Sequence, residues 1–430
     1  MLQLKQYLER CRASILKGRS LASATHAGSS QKAVVHAQSP PRDDPRPGLE
    51  QGFAKIDAPL ERLPAEVRRQ LLCLLELDDL HALVSVSPVF HDQYKLDSRF
   101  VLCTCLDNTL RDIAIDAWAV FHSGQADFLD SRNDQAVMQL LQTWQSRSKQ
   151  ADYSLLSDSL KEDEVVSLVE FHTSIITPLA HHYVSWALDN LASESGAYQS
   201  RELKALSRTE RARLTRAFYR FQLCCNLFGG RYHKTIKSST FQAVDVLKLF
   251  FCIFEPWQIE EIACVYVFTK IHYDEVFREV AWDLSKENPR LVNSQSTGPD
   301  GVFDLEDACK DTRRLLQGTT SCGLKLLHTV LFQIQDHVHL VSIMQQNISW
   351  PAENFLGNEA LGERAQFQRR QEHPMERDLK QQRRDPLPFK GDRCYVFWDA
   401  PRLERTGGRE VLARQWEADW GLTDPRDFVM

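Results

Sequence analysis

Two thiols stand two residues apart in "VLCTCL", at Cys103 and Cys105, and closely spaced thiolates are where a zinc site begins. A structural zinc needs four ligands, and no second Cys or His pair follows at zinc spacing, so both read better as small core or boundary residues. His181 and His182 are adjacent in "PLAHHYVSWAL". On a helix, neighbouring side chains point in different directions, so they cannot chelate as an i, i+4 pair would, and satisfied or exposed histidines are expected. Asp300, Asp304, Glu306 and Asp307 crowd the stretch "GPDGVFDLEDACKD" but lack the EF-hand order of alternating oxygen ligands closed by a distant Glu. An acidic loop entering a helix, with Asp304 as its N-cap, explains them more simply. Gly229-Gly230 after "CCNLF" reads as a helix C-terminus in the left-handed conformation rather than a phosphate loop. Arg213, Arg216 and Arg220 form a stripe able to meet phosphates or the acids of a protein partner; at a net charge of -6 a solvated helix face is preferred.

No G-x-S-x-G, H-E-x-x-H or dinucleotide fingerprint is present. The expectation is therefore a non-catalytic protein without metal or cofactor.

The elements that carry these residues are expected to be helices. Hydrophobic residues at 43% and charged residues at 26% of 430 fit a globular chain with a sizeable core. The net charge gives no global pull toward nucleic acid or an anionic membrane. Of the eleven cysteines, Cys73, Cys224, Cys252 and Cys264 sit in apolar helical patterns, where a free thiol behaves as a small hydrophobe. Their odd number and the lack of an export signal favour a reducing compartment, cytoplasmic and/or nuclear. "LKLFFCIF" falls far short of the roughly 18 apolar residues of a membrane span.

Residues 1–55 divide into "MLQLKQYLERCRASIL", with Leu4, Leu8, Cys11 and Ile15 at helical spacing, and a Ser-, Pro- and charge-rich tail that is expected to be disordered. The basic bias of the first helix is compatible with a mitochondrial transit peptide, although a frayed helix before a tail is the plainer reading. Residues 56–102 hold three short helices, 103–347 a larger helical body, 348–392 a charged linker, and 393–430 an aromatic segment. Trp398, Trp416 and Trp420 are expected to dock that segment on the body, because exposed large aromatics make a sticky patch. Strand-like alternation is scarce, so the fold class is all-α.

In the body, "RTERARLTRAFYRFQLCCNLF" places Leu214, Ala217, Phe218, Phe221 and Cys225 on one face. "FEPWQIEEIACVYVF" opens with Pro256, suited to a first turn, and follows it with Glu260 and Glu261, which favour the dipole. Gly323 is the helix breaker near the start of "SCGLKLLHTVLFQIQDHVHLVSIM".

The stretch "LERLPAEVRRQLLCLLELDDLHALVSVSPVF" concentrates helix starts. Pro64 suits the first turn of one helix, with Leu63 held extended before it and Glu66 near the dipole. Val67, Leu71 and Leu75 recur at four-residue spacing, widened by Leu72 and Leu74. Asp78 or Asp79 is the expected cap of the second helix, whose apolar set is Leu80, Leu83, Val84 and Val86. Ser87-Pro88 repeats the cap-plus-proline start for a third, carrying Val89, Phe90 and Tyr94. Three helices this short bury little by themselves, so their apolar faces need cover from the body or from another protein.

These residues resemble the F-box, the adaptor-binding module of cullin–RING ubiquitin ligases: L-P-x-E-[VIL] opening helix one, D-L at the start of helix two, V-S before helix three. The later blocks "LSRTERARLTRAFYRFQLCCNLFG" (206–229), "FEPWQIEEIACV" (254–265) and "YVFWDAPRL" (395–403) are similar to an ascomycete group of F-box proteins. The resemblance implies that Leu63, Pro64, Val67, Leu71, Leu75, Leu80, Leu83 and Val84 include contacts to a Skp-type adaptor. It also implies that the helical body presents a protein substrate to an SCF-type ligase. Many F-boxes carry a Trp in helix three; here the segment is "PVFHDQY", with Phe90 or Tyr94 as the stand-in. The alternative is a helical scaffold whose F-box-like helices pack inward and never meet the adaptor.

Overall fold

The computed structural model describes residues 59–148, 160–195, 205–229, 243–285, 287–289, 303, 305, 310–350 and 395–420. The chain is all-α, with no strand among the described residues. The N-terminal region 1–55, the acidic residues Asp300, Asp304, Glu306 and Asp307, Gly230, and the linker from 351 onward lie outside the described residues. None of the described helices is long and apolar enough to cross a membrane.

The chain divides into two compact units, Met1–Thr109 with Leu160–Glu170, and Leu110–Ser159 with Phe171–Met430. The first opens with a 3-10 turn at Pro59–Arg62, followed by α1 (Ala65–Leu74), α2 (Leu77–Val86), α3 (Pro88–Leu96) and α4 (Ser98–Leu110). Pro64 is the N-cap of α1, one residue earlier than its expected place in the first turn. Ser87 caps α3 as its sequence predicts: its side chain accepts from the Phe90 N–H, with Pro88 behind it. The same hydroxyl donates to Glu61 Oε1 at 2.5 Å, and Arg68 Nη1 donates to the carbonyls of Glu61 and Leu63, so the entry turn is tied to both α1 and α3.

The expected cap at Asp78 or Asp79 is not used. Glu76 occupies the N-cap of α2 without capping it through its side chain, and the Leu77 N–H donates instead to Thr109 Oγ1 at 2.9 Å. Asn108, next to it on α4, donates to the carbonyls of Cys73 and Leu75 at the end of α1. One turn of α4 thus satisfies backbone groups on both sides of the α1–α2 corner, where helix ends otherwise leave donors and acceptors orphaned. Leu72, Leu77, Leu80, Val84, Phe90 and Tyr94 fill the interior of this unit.

The second unit is built on α5 (Ala114–Ser123), α6 (Asp134–Ser148), α7 (Thr177–Ser195), α8 (Arg208–Phe228), α9 (Pro256–Leu284) and α10 (Lys310–Thr320). Two helices follow from the C-terminal segment, α11 (Ala400–Arg405) and α12 (Gly408–Trp420). Pro256 opens α9 as expected, behind a capping box of Glu255 and Gln258. The centre of the unit is α8, which packs on α5 and α9. From Leu214 to Phe228 it is buried on nearly every side, which is how a helix apolar around most of its circumference is accommodated.

Gly229 ends α8, but its φ of −70° corrects the expectation of a left-handed residue. Glycine is needed there for space: a Cβ would lie 2.3 Å from the Cys225 carbonyl oxygen and 2.5 Å from that of Ser321. The left-handed glycine is Gly323, with φ of 85°, where the Leu324 N–H turns to donate to Gln222 Oε1 on α8.

Candidate functional site

Helix α1 has two different sides. Val67, Leu71 and Leu74, spaced four and three residues apart, share one face; Val67 and Leu74 are exposed and Leu71 is half-buried. Leu72, two residues before Leu74, is fully buried, whereas Leu74 is 76% exposed. Pro64 and Leu60 are exposed on the approach to this helix, and Leu63 and Leu75 are half-buried at its ends. On α2 the picture reverses: Leu80 and Val84 are turned into the core with Leu77, Leu83 is half-buried, and Val86 is exposed at the end. Of the eight residues singled out from the sequence, Leu80 and Val84 therefore belong to the core, and the other six have exposed area. Phe90 and Tyr94 are interior residues of α3 and present no aromatic ring at the surface; burial pushes the Tyr94 hydroxyl above its usual range.

Within the second unit, the arginine stripe of α8 is not a solvated face. Arg213 Nη1 donates to Asp399 Oδ1 at 3.0 Å. Arg216 forms a fork on Glu261 of α9, with Nη2 2.7 Å from Oε1 and Nε 3.1 Å from Oε2. Arg220 Nε donates to Asp116 Oδ2 of α5 at 3.1 Å while its guanidinium lies 4.4 Å from the centroid of the Phe254 ring. Asp116 also accepts from Trp144 Nε1 on α6 at 3.1 Å. One turn earlier, the polarity is exchanged: Glu210 accepts from Arg402 through both oxygens, at 2.7 and 2.6 Å, in a pair with 1% and 3% exposure. The correction has a plain cause, because the acids sit 45 to 186 residues away in sequence and face α8 only once the unit has folded.

The four carboxylates of this ladder are not equivalent. Burial pushes Asp116 and Glu261 above the usual carboxylate range despite their arginines. Burial acts on Glu210 and Asp399 too, but hydrogen bonds outweigh it and hold both below that range. Glu210 accepts from Arg402 and from the N–H groups of Asp399 and Ser207; Asp399 accepts from Ser207, Thr209 and Arg213. The blocks 206–229, 254–265 and 395–403, distant in sequence, are thus one side-chain assembly.

Of the three tryptophans expected to dock the C-terminal segment, the structure describes one side chain, Trp398. Phe397 and Trp398 are buried, and the Phe397 ring lies 5.3 Å from that of Tyr183. The side chains of Trp416 and Trp420 lie outside the described part.

Cys103 and Cys105 are buried free thiols, pushed up by burial to about 11 and about 12. The Cys105 thiol donates to the Leu72 carbonyl at 3.1 Å. His181 is exposed; His182 is half-buried, with its ring 5.0 Å from that of His272 and its Nε2 without a hydrogen-bond partner, which departs from the expectation of a satisfied side chain. Among the described residues no group of three His, Cys, Asp or Glu side chains is placed to hold a metal ion. A shallow open hollow is lined by Trp118, His122, Gln125, Asp127, Phe128 and Gln139.

The charge ladder escaped sequence reading, though part of its signal was there. Asp116 is the lone acid of "AIDAWAVF" and Glu261 directly precedes the apolar "IACVYVF", and a charge embedded in an apolar run requires a partner. Arg402 gave no such signal. Comparison of the chain with protein-family models, with curated proteins and with solved structures returned no match.

Proposed function

We propose that the chain is a non-catalytic F-box-type substrate receptor, linking a protein substrate to an SCF-type ubiquitin ligase through a Skp-type adaptor. The observation that carries this reading is the outward stripe of α1, Val67, Leu71 and Leu74, continued by Leu60 and Pro64, on a helix whose opposite side is core. A monomer gains nothing from leaving such side chains in water, and contiguous apolar exposure marks an interaction surface. The proposed contact set is Leu63, Pro64, Val67, Leu71, Leu75 and Leu83, extended by the exposed Leu74, with Leu80 and Val84 as core residues of the same unit. The second unit presents the substrate, and the receptor acts by raising the substrate's effective concentration beside the charged conjugating enzyme.

Capture of the full chain by a purified Skp-type adaptor is the direct test. Wild type binds, and Leu63→Asp and Pro64→Ala lose at least tenfold in affinity. No binding by wild type, or equal binding by the variants, ends this reading. The scaffold reading would then stand, favoured by the burial of Leu80, Val84, Phe90 and Tyr94.

A further inference from the structure

The segment Tyr395–Arg405 is held at the start of α8 by a cluster in which two hydroxyls converge on one carboxylate. Ser207 Oγ donates to Asp399 Oδ2 at 2.5 Å and Thr209 Oγ1 donates to the same oxygen at 2.6 Å. Both hydroxyl residues are exposed, and the half-buried Asp399–Arg213 pair they join adjoins the buried Glu210–Arg402 pair. The contact needs a donor on residue 207 and a negative charge on residue 399. Anything that reverses the sign at residue 207 turns an attraction into a repulsion.

From this arrangement we propose that Ser207 is a phosphorylation site, and that its phosphate releases the segment carrying Phe397 and Trp398 from the second unit. Ser207 is exposed, has extended backbone, φ −65° and ψ 164°, and precedes the helix, so only the frayable first turn of α8 must open for a kinase to read its flank; Thr209 lies inside that turn. In sequence it is flanked by Lys204, Arg208 and Arg211, cations of the kind an acidic substrate cleft reads. The transfer is ordinary phosphoryl chemistry from a nucleoside triphosphate. The Ser207 oxygen forms a bond to the γ-phosphorus, the bond to the diphosphate breaks, and the hydroxyl proton passes to a base of the kinase.

The modified side chain loses its hydrogen-bond donor and carries close to two negative charges at neutral pH. It faces Asp399 and Glu210, both held ionised by their partners, and competes with Asp399 for Arg213. Helix α8 itself tolerates the group, because a phosphate at a helix N-terminus is favourable and continues to accept from the Glu210 N–H. The effect is therefore confined to the docked segment. Its departure uncovers Phe397 and Trp398 and the interior around Tyr183 that they close.

The test uses the full chain with phosphoserine incorporated at position 207, read by amide hydrogen exchange. Exchange in 395–406 is expected to rise at least tenfold over the unmodified chain, with Leu214–Phe228 unchanged, and phosphatase treatment of the same sample is expected to restore protection. Adding Asp399→Asn, which replaces the repelled carboxylate with a donor, is expected to reverse at least threefold of that rise. Unchanged exchange in 395–406, loss of protection throughout α8, or no effect of Asp399→Asn overturns the proposal. Phosphopeptide mapping of the chain from its native cells supplies the second arm: phosphate on Ser207 supports the switch, and an unmodified Ser207 under every growth and stress condition overturns it.

Discussion

Helix α1 of the first unit and helix α8 of the second are both amphipathic by sequence, yet their polar and apolar faces meet opposite fates. On α1 part of the apolar face is left in solvent: Leu74 is exposed although Leu72 is fully buried. On α8 part of the charged face is taken inside: Arg216, Arg220 and Glu210 each find an opposite charge on another element. An amphipathic pattern thus fixes which residues share a face, and leaves open whether that face meets solvent. Length sets the difference. A ten-residue helix in a small unit can cover only one side, whereas the twenty-one-residue α8 is surrounded by the rest of its unit.

The sharpest way to break the comparison is to remove one charge from α8's ladder. Arg402→Ala leaves the Glu210 carboxylate buried and unpaired, and the expected loss is about 3–5 kcal/mol in denaturant unfolding. A loss below about 1 kcal/mol would mean that the ladder is solvated after all. Replacing both Glu210 and Arg402 by apolar residues of similar volume is expected to cost much less, because no orphaned charge remains.

Next in size is the inner side of α1. Leu72→Ala opens a cavity in the first unit and is expected to cost about 3 kcal/mol.

A smaller effect separates the units by pH. Asp107 on α4 is half-buried, has an unpartnered Oδ1, and is pushed up by burial to about 7. A carboxyl with a raised folded-state pKa binds its proton more tightly when folded, so its contribution is full below about pH 4 and is lost as pH rises through about 7. Asp107→Asn is therefore expected to stabilise the chain by about 1 kcal/mol at pH 8, after allowance for solvent screening, and to have no effect near pH 4. Glu210 and Asp399 have the opposite sign: their contribution is full above the ordinary carboxylate range and is lost as pH falls through their depressed values. Acidification is expected to loosen 395–406, seen by hydrogen exchange, while removing the penalty at Asp107.

The smallest expected effect sharpens the comparison most. Leu74→Ala, two residues from Leu72, should change stability by less than about 0.5 kcal/mol, as an exposed substitution does. In the adaptor reading it nevertheless weakens binding. A stability loss comparable to that of Leu72→Ala would place Leu74 in a core.

Local chemistry carried much of the fold into view. The helical class, the starts at Pro64, Ser87 and Pro256, the breaker at Gly323 and the docking of Trp398 follow from residues that act within a turn or two, or from aromatic area that must be covered. The misses share a cause of the opposite kind. The start of α2 is satisfied from Thr109, thirty-two residues away, so Asp78 and Asp79 had no cap to make. Gly229 is required by the Ser321 carbonyl, which local sequence does not place beside it. The candidate surface was half legible: spacing grouped Val67 with Leu71 and put Leu80 with Val84, but could not say which pair faces out.

The sequence by itself determined periodicity, capping and the grouping of side chains on faces, because these depend on backbone geometry over a few residues. Only the tertiary structure decided the environment of each face. Burial and ion pairing depend on distant elements: Arg402 and Asp399 reach α8 from almost two hundred residues away, and no local rule ranks Arg213, Arg216 and Arg220 as paired rather than solvated. The same holds for Ser207, which in the folded chain caps α8 and, through Asp399, also holds the C-terminal segment.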